Sequence, residues 1–253
     1  MEAKPYLREI SLKRERIAEL DRYPFSIPAV RELDVLEFHP DVTFFVGENG
    51  SGKSTMLEAI ALAMGLGPEG GTRNMRFSTA DTTSGLYSCL KTVKSYSRPR
   101  EHYFLRAESF FNVASHIERL DRDDPGDFPS PPIGPSYGDR SLHGQSHGES
   151  FMALLINKLR GNGLYLFDEP EAALSPSRQM AALTAIHRLV EAGSQFIIAT
   201  HSPILLAYPR SKIVLFDGSG LSAVRYEDTE HYAITRHFLN NHRKMVETLI
   251  SND

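Results

Sequence analysis

"VTFFVGENGSGKSTMLEAIALAMG", residues 42–65, decides how the rest of the chain is read. Val42–Val46 is an unbroken β-branched and aromatic run, the pattern of a strand buried on both faces. It runs into "GENGSGKST" (47–55), which fits G-x-x-x-x-G-K-[ST] through Gly47, Gly52, Lys53 and Ser54. Beyond it Met56, Ile60, Ala63 and Met64 fall on one helical face, with Gly65 or Gly67 near the end. A buried strand, a glycine-rich loop and a helix in this order make a phosphate site. The glycines let backbone N–H groups turn inward, and the helix presents its positive end to the anion. Asn49, Gly50, Ser51, Gly52, Lys53, Ser54 and Thr55 form that loop. Lys53 can reach β- and γ-phosphates, and the Ser54 hydroxyl can ligate Mg²⁺.

A second element agrees. "LYLFDEP" (164–170) is a central strand ending in acids. Asp168 at its carboxyl end can hold Mg²⁺ through water, and Glu169 can orient or deprotonate a water that attacks the γ-phosphate.

The remaining pattern alternates strands and helices, which predicts a largely parallel sheet. Residues 6–12 and 33–38 read as half-buried strands, 102–107 as a further strand, and 68–100 as irregular. Phe110, Val113, Ala114, Ile117 and Leu120 fall at helical spacing. Residues 121–144, rich in Pro and Gly, read as a long loop. Residues 149–160 resume a helix. Ser175 before Pro176 reads as an N-cap, and Gly193 closes that helix. "QFIIAT" (195–200) is a buried strand, "KIVLFDGSGLSAVRY" (212–226) a strand, turn and strand, and the tail from Thr229 a helix.

Composition is that of an ordinary globular chain: 253 residues, 41% hydrophobic and 24% charged. A net charge of −4 argues against a dedicated nucleic-acid coat protein. Cys89 stands alone, which excludes an intramolecular disulfide and a cysteine zinc site and fits a reducing cytoplasm. The first ten residues lack the apolar segment of a signal peptide, and no apolar run approaches the about 20 residues of a membrane span.

In order along the chain, the phosphate loop, "SHGES" (146–150), "LYLFDEP", "ALSP" (173–176) and "IIATHS" (197–202) resemble an ABC-class ATPase. The likeness is to the soluble kind related to the chromosome-maintenance and RecF-like ATPases, and it covers roughly residues 42–65 and 146–203. It implies an α/β P-loop NTPase with a largely parallel central sheet, an antiparallel N-terminal β part and a small helical lobe carrying the signature peptide. It implies one domain, with 1–66 and 160–228 as nucleotide-binding core, 67–159 as the lobe and 229–253 as a C-terminal helix. It implies ATP and Mg²⁺ as cofactors. "SHGES" takes the place of the family's S-G-G-E/Q signature. Ser146, His147, Gly148 and Glu149 would then contact the γ-phosphate of ATP held by a second copy, which implies a head-to-tail homodimer around two ATP. The same peptide also fits a capping box, Ser146 with Glu149, and the two roles are compatible. His201 becomes the switch histidine, catalytic together with Glu169 and Lys53.

Four departures stand out. His147 replaces a glycine of the signature and could bind phosphate or pack. The interval before the signature holds no Q-loop glutamine, since Gln145 abuts the signature and the other two are Gln179 and Gln195. Glu108 is the substitute as a hard oxygen ligand for Mg²⁺, or simply an acid at a helix N-terminus. Ser175 replaces the D-loop aspartate and suits capping. Tyr23 or Phe25 could stack on adenine, or belong to the core. Three roles follow: a soluble cytoplasmic switch or clamp on nucleic acid or a partner protein, the ATP-binding subunit of a membrane transporter, or an ATP sensor without turnover. The basic stretch Lys91, Lys94, Arg98, Arg100 and Arg106 speaks for the first.

Overall fold

A computed structural model of the chain describes residues 4–72, 84–107, 109, 115, 119 and 146–251. Its centre is a seven-stranded sheet in the order β10-β9-β3-β8-β7-β6-β4. The strands are β3 (Val42–Gly47), β4 (Gly71–Thr72), β6 (Glu101–Arg106), β7 (Gly163–Asp168), β8 (Gln195–Ala199), β9 (Ser211–Asp217) and β10 (Gly220–Val224). The five inner strands run parallel, and β10 and β4 pair antiparallel at the two margins. A second sheet, antiparallel, joins β1 (Leu7–Leu12) to β2 (Val35–Glu37) and to β5 (Leu90–Lys94).

Every residue of β3, β7 and β8 is buried, because helices cover both faces of the parallel sheet. The faces separate by residue parity. Phe45, Leu164, Leu166, Ile197 and Ala199 pack under α2 (Lys53–Ala63) with Met56, Leu57 and Ile60. Phe44, Val46, Tyr165, Phe167, Phe196 and Ile198 pack on the other side with Phe151, Ile186 and Leu189. These last belong to α4 (His147–Ala153) and α5 (Pro176–Glu191). Shorter helices are α1 (Pro28–Arg31), α3 (Leu86–Cys89) and α6 (Pro203–Leu206), and α7 (Glu230–Ile250) ends the described chain. Gln195 joins the two sheets: its amide accepts from Leu7 N at 3.0 Å and donates to Leu7 O at 2.9 Å and His39 O at 3.1 Å.

Register carries this architecture to the functional edge. Phe45 stands opposite Ala199, Ala199 opposite Asp168, and Asp168 opposite Arg106. Residues just beyond these positions therefore emerge side by side at the carboxyl ends of the strands, where open α/β sheets bind ligands.

The caps expected at Ser146 and Ser175 are present, and the helical tail starts at a Thr229 cap that the sequence reading did not name. Ser146 and Glu149 form the full capping box, Ser175 Oγ caps α5 ahead of Pro176, Gly193 (φ 87°) follows α5, and Thr229 caps α7. Residues 68–100 are more regular than their pattern suggests: they contain β4, α3 and β5. The strand β5 reads "LKTVK", and its burial is partial because it lies at the margin of a three-stranded sheet. The helix expected over 149–160 begins at His147 and passes into a π-helical turn, Leu154–Lys158. Phe110, Val113, Ala114, Ile117, Leu120 and the loop 121–144 lie outside the described residues, as does about half of the expected helical lobe.

Phe167 is fully buried, with ring centroids 5.9 Å from Phe151 and 5.5 Å from Phe196. Phe167→Ala therefore removes the aromatic link between α4 and the sheet. Urea unfolding is expected to show a loss of about 3–5 kcal/mol.

Candidate functional site

The loop 47–55 has the shape its glycines permit. Gly47, Gly50 and Gly52 have φ of 146°, 80° and 97°. A Cβ at Gly47 would lie 2.2 Å from the Phe216 carbonyl oxygen, so no side chain fits there. Asn49 and Gly50 are exposed at the tip, Ser51 and Thr55 are half-buried, and Gly52 and Lys53 are buried. Lys53 Nζ donates to the carbonyls of Gly47 (2.9 Å) and Glu48 (2.8 Å). Burial pulls its pKa below the ordinary lysine value, against the raising effect of Glu169, Asp168 and Glu171.

Ser54 Oγ donates to Asp168 Oδ1 at 2.9 Å. A hydroxyl and a carboxylate side by side are hard oxygen donors of the kind Mg²⁺ takes, and the pair fits that ion. Arg106 stands beside them, its Nε 3.8 Å from Asp168 Oδ2 and its Nη1 2.8 Å from Glu58 Oε2. Arg106 thus belongs to this site and not to the basic stretch in which sequence reading placed it. Glu108 lies outside the described residues.

Glu169 follows the strand in a left-handed conformation (φ 50°, ψ 52°), unusual for a residue with a Cβ. Its N–H donates to Ala199 O at 2.9 Å, which ties the end of β7 to β8. Its carboxylate points to His201: Glu169 Oε1 lies 3.6 Å from His201 Nε2. The backbone N–H of His201 donates to Glu171 Oε1 at 2.6 Å. Burial pushes the Glu171 carboxyl above the usual carboxylate range. His201 Nδ1 lies 2.8 Å from His231 Nε2, in the first turn of α7. Burial first, then the Lys53 charge, lowers the pKa of both imidazoles.

The signature peptide borders the same cleft. A cavity of about 750 Å³ is lined by Ser54, Arg106, Asp168 and Glu169 on one side and by Ser146, His147 and Gly148 on the other. Arg178, from the first turn of α5, fixes the peptide: its guanidinium lies 3.2 Å from Ser146 Oγ and 3.5 Å from Glu149 Oε1. A Cβ on Gly148 would meet Arg178 Nη1 at 2.5 Å and Ala173 O at 2.6 Å. "SHGES" and "ALSP" are therefore one packed unit.

Of the two candidates for stacking on adenine, Phe25 packs against the core. Tyr23 is exposed beside the phosphate loop, with its hydroxyl 3.3 Å from Thr55 Oγ1. Gln179 and Gln195 have structural duties. Gln179 accepts from Ser202 Oγ at 2.6 Å, and Gln195 joins the sheets as above. Gln145 lies outside the described residues. Sequence reading missed four residues that the fold brings here: Glu58, Glu171, Arg178 and His231. Each lies on a different element, and no spacing rule connects them.

Two family models match the chain. One, "AAA domain", spans residues 25–109. The other, "AAA domain, putative AbiEii toxin, Type IV TA system", spans residues 134–207. The first covers the phosphate loop, the second the signature, the acidic strand end and His201. A search of curated proteins gave no match. Among solved structures, the chain is similar to an ABC transporter assigned to the metal-chelate type in an inward-facing conformation. That match has 16% identity and a TM-score of 0.53, covering 91% of this chain and 88% of the other. Weaker likenesses are to the SMC head domain from Thermotoga maritima (15%, TM-score 0.46, covering 87% and 99%) and to cbiO1 from Clostridium perfringens, part of the ABC transporter complex cbiONQ (14%, 0.45, 87% and 91%). At these identities the transporter likeness establishes the fold.

Two expectations follow from the geometry. Gly148→Ala is expected to lower stability by about 1–3 kcal/mol in chemical denaturation, and adding Arg178→Ala should not restore it, because the Ala173 carbonyl still blocks the methyl. His39, His201 and His231 all have lowered pKa values, with burial the main cause. Below about pH 6.5 the unfolded chain takes up protons at these imidazoles while the folded chain does not, so stability falls as pH falls through that window. Thermal midpoints measured from pH 7.5 to 5.5 should drop, and His231→Phe should flatten the slope.

Proposed function

We propose that this ABC-class P-loop ATPase, related to the chromosome-maintenance and RecF-like branch, binds ATP with Mg²⁺ and hydrolyses it, using ATP to hold two copies together head to tail. The observation that carries the reading is the meeting of Lys53, Ser54, Asp168, Glu169 and His201 at one edge of the sheet, with Ser54 Oγ and Asp168 Oδ1 2.9 Å apart.

The loop N–H groups and the start of α2 bind the phosphates. Lys53 exchanges its two carbonyl partners for phosphate oxygens, which offsets its burial. Ser54 and Asp168 would hold Mg²⁺, which supplies charge neutralisation on the phosphates when bound. Glu169 would accept a proton from the attacking water; its left-handed backbone and its position in the cleft lining support that role. His201 faces the same point from the segment that follows β8. Tyr23 is the group that suits adenine stacking.

Ser146, His147 and Gly148 line the outer wall of the cleft, where the signature would meet ATP carried by the other copy. The capped start of α4 offers N–H groups to an anion. Arg178 would keep this surface rigid. The role we favour is a switch or clamp that acts on nucleic acid or a partner protein. Support comes from a second cleft, of about 880 Å³, beside the start of β6 and lined by Lys94, Arg98, Arg100, Lys158 and Tyr96.

In light scattering, Glu169→Gln with saturating Mg·ATP should double in mass, and adding Ser146→Arg should abolish the doubling. A mass that never changes would overturn the head-to-tail dimer. Lys53→Ala should cut ATP turnover by at least about 100-fold in a phosphate-release assay; turnover near the wild-type rate would overturn the assignment of the site.

A further inference from the structure

The contact between His201 and His231 is a constraint on proton position. A hydrogen bond between two neutral imidazoles needs one proton between its nitrogens. Burial and Lys53 favour the neutral form of both rings. The bond runs from His201 Nδ1 to His231 Nε2 over 2.8 Å, with ring centroids 4.9 Å apart. The other nitrogen of His201, Nε2, is buried without a hydrogen-bond partner among the described residues and faces Glu169 Oε1 at 3.6 Å.

Two arrangements satisfy the bond. If the shared proton sits on His201 Nδ1, a bare lone pair on Nε2 opposes the Glu169 carboxylate. If it sits on His231 Nε2, His201 carries its own proton on Nε2 and presents N–H to that anion. The second arrangement removes a repulsion and creates an attraction.

His231 is also held in place to donate the bond that this arrangement needs. Thr229, 2% exposed, caps α7 and donates through Oγ1 to Tyr226 O at 2.7 Å. Tyr226 OH donates to Pro203 O at 2.9 Å, two residues beyond His201, and its ring packs at a tilt against Tyr232, with centroids 4.6 Å apart. The start of α7 is thus bolted to the segment that carries His201. The other charged groups around the pair are Lys53, Glu169, Glu171 and Glu230.

We propose that His231 is a positioning residue: its Nε2–H fixes the tautomer of His201 so that the Nε2–H of His201 faces the terminal phosphate. This rests on the ATPase reading for its consequence in turnover, but the tautomer itself does not depend on it.

The test joins a spectrum to a rate. Long-range ¹H–¹⁵N correlation of the histidine rings, with His201 assigned by loss of its signals in His201→Gln, should show His201 protonated at Nε2 in the wild type. His231→Gln keeps an N–H donor near the same place and should keep that tautomer. His231→Phe keeps a ring but no donor, which leaves Glu169 alone to hold the Nε2 proton, so the share of His201 protonated at Nδ1 should rise. In steady-state assays His231→Phe should lower kcat about tenfold with KM for ATP unchanged, and His231→Gln should recover most of the loss. His201 protonated at Nδ1 in the wild type would overturn the proposal. So would His231→Phe with an unchanged tautomer and rate. A wild-type chain without turnover would instead sink the ATPase reading, while the spectrum would still decide the tautomer.

Discussion

The parallel pairing of β3 with β8 on one side and β9 on the other is the constraint on which the structure depends. Strand β3 has no exposed residue, so its backbone hydrogen bonds and its apolar faces must both be satisfied by neighbours. Satisfying them sets the register. Register in turn brings the phosphate loop, Asp168 and His201 to one edge from three distant parts of the sequence. The chemistry is thus a by-product of a packing requirement, and a slip of one residue would send every inward side chain to the opposite face.

A buried cation sits at the centre of that edge. Lys53 is 4% exposed, and taking its ammonium out of water is costly unless oxygen atoms replace the water. Two carbonyls do so here, and three carboxylates lie near enough to raise its pKa against burial. The surrounding polar groups form a chain: Glu58 to Arg106 and Arg106 to Asp168 by ion pairs, Ser54 to Asp168 by a hydrogen bond. Such a network is fully satisfied only when each member is present, which makes it sensitive to any single loss.

Much of this was legible in the sequence, for a physical reason. The phosphate loop, the acidic strand end and the two caps at Ser146 and Ser175 are local devices, each decided by residues within about one turn of one another. Residues 90–94 were missed because a partly buried margin strand with two lysines has little apolar alternation to read. Arg106 was misassigned because charge along a sequence says nothing about which strand end it reaches; only pairing of β6 with β7 places it beside Asp168. Arg178 and His231 were invisible for the same reason: each acts across a contact between elements, with His201 and His231 30 residues apart.

The position of β3 also has a consequence for synthesis. The strand that carries the phosphate loop is made well before both of its neighbours, β8 and β9, which come from residues 195–217. While the ribosome is still short of that point, a strand that ends up wholly buried has no partner on either side. Contacts of such long sequence separation form slowly and leave edges open in the meantime. A nascent chain therefore cannot assemble its nucleotide site until residues 195–217 have followed the phosphate loop, and over that interval the open edges of β3 are what a chaperone would have to shield.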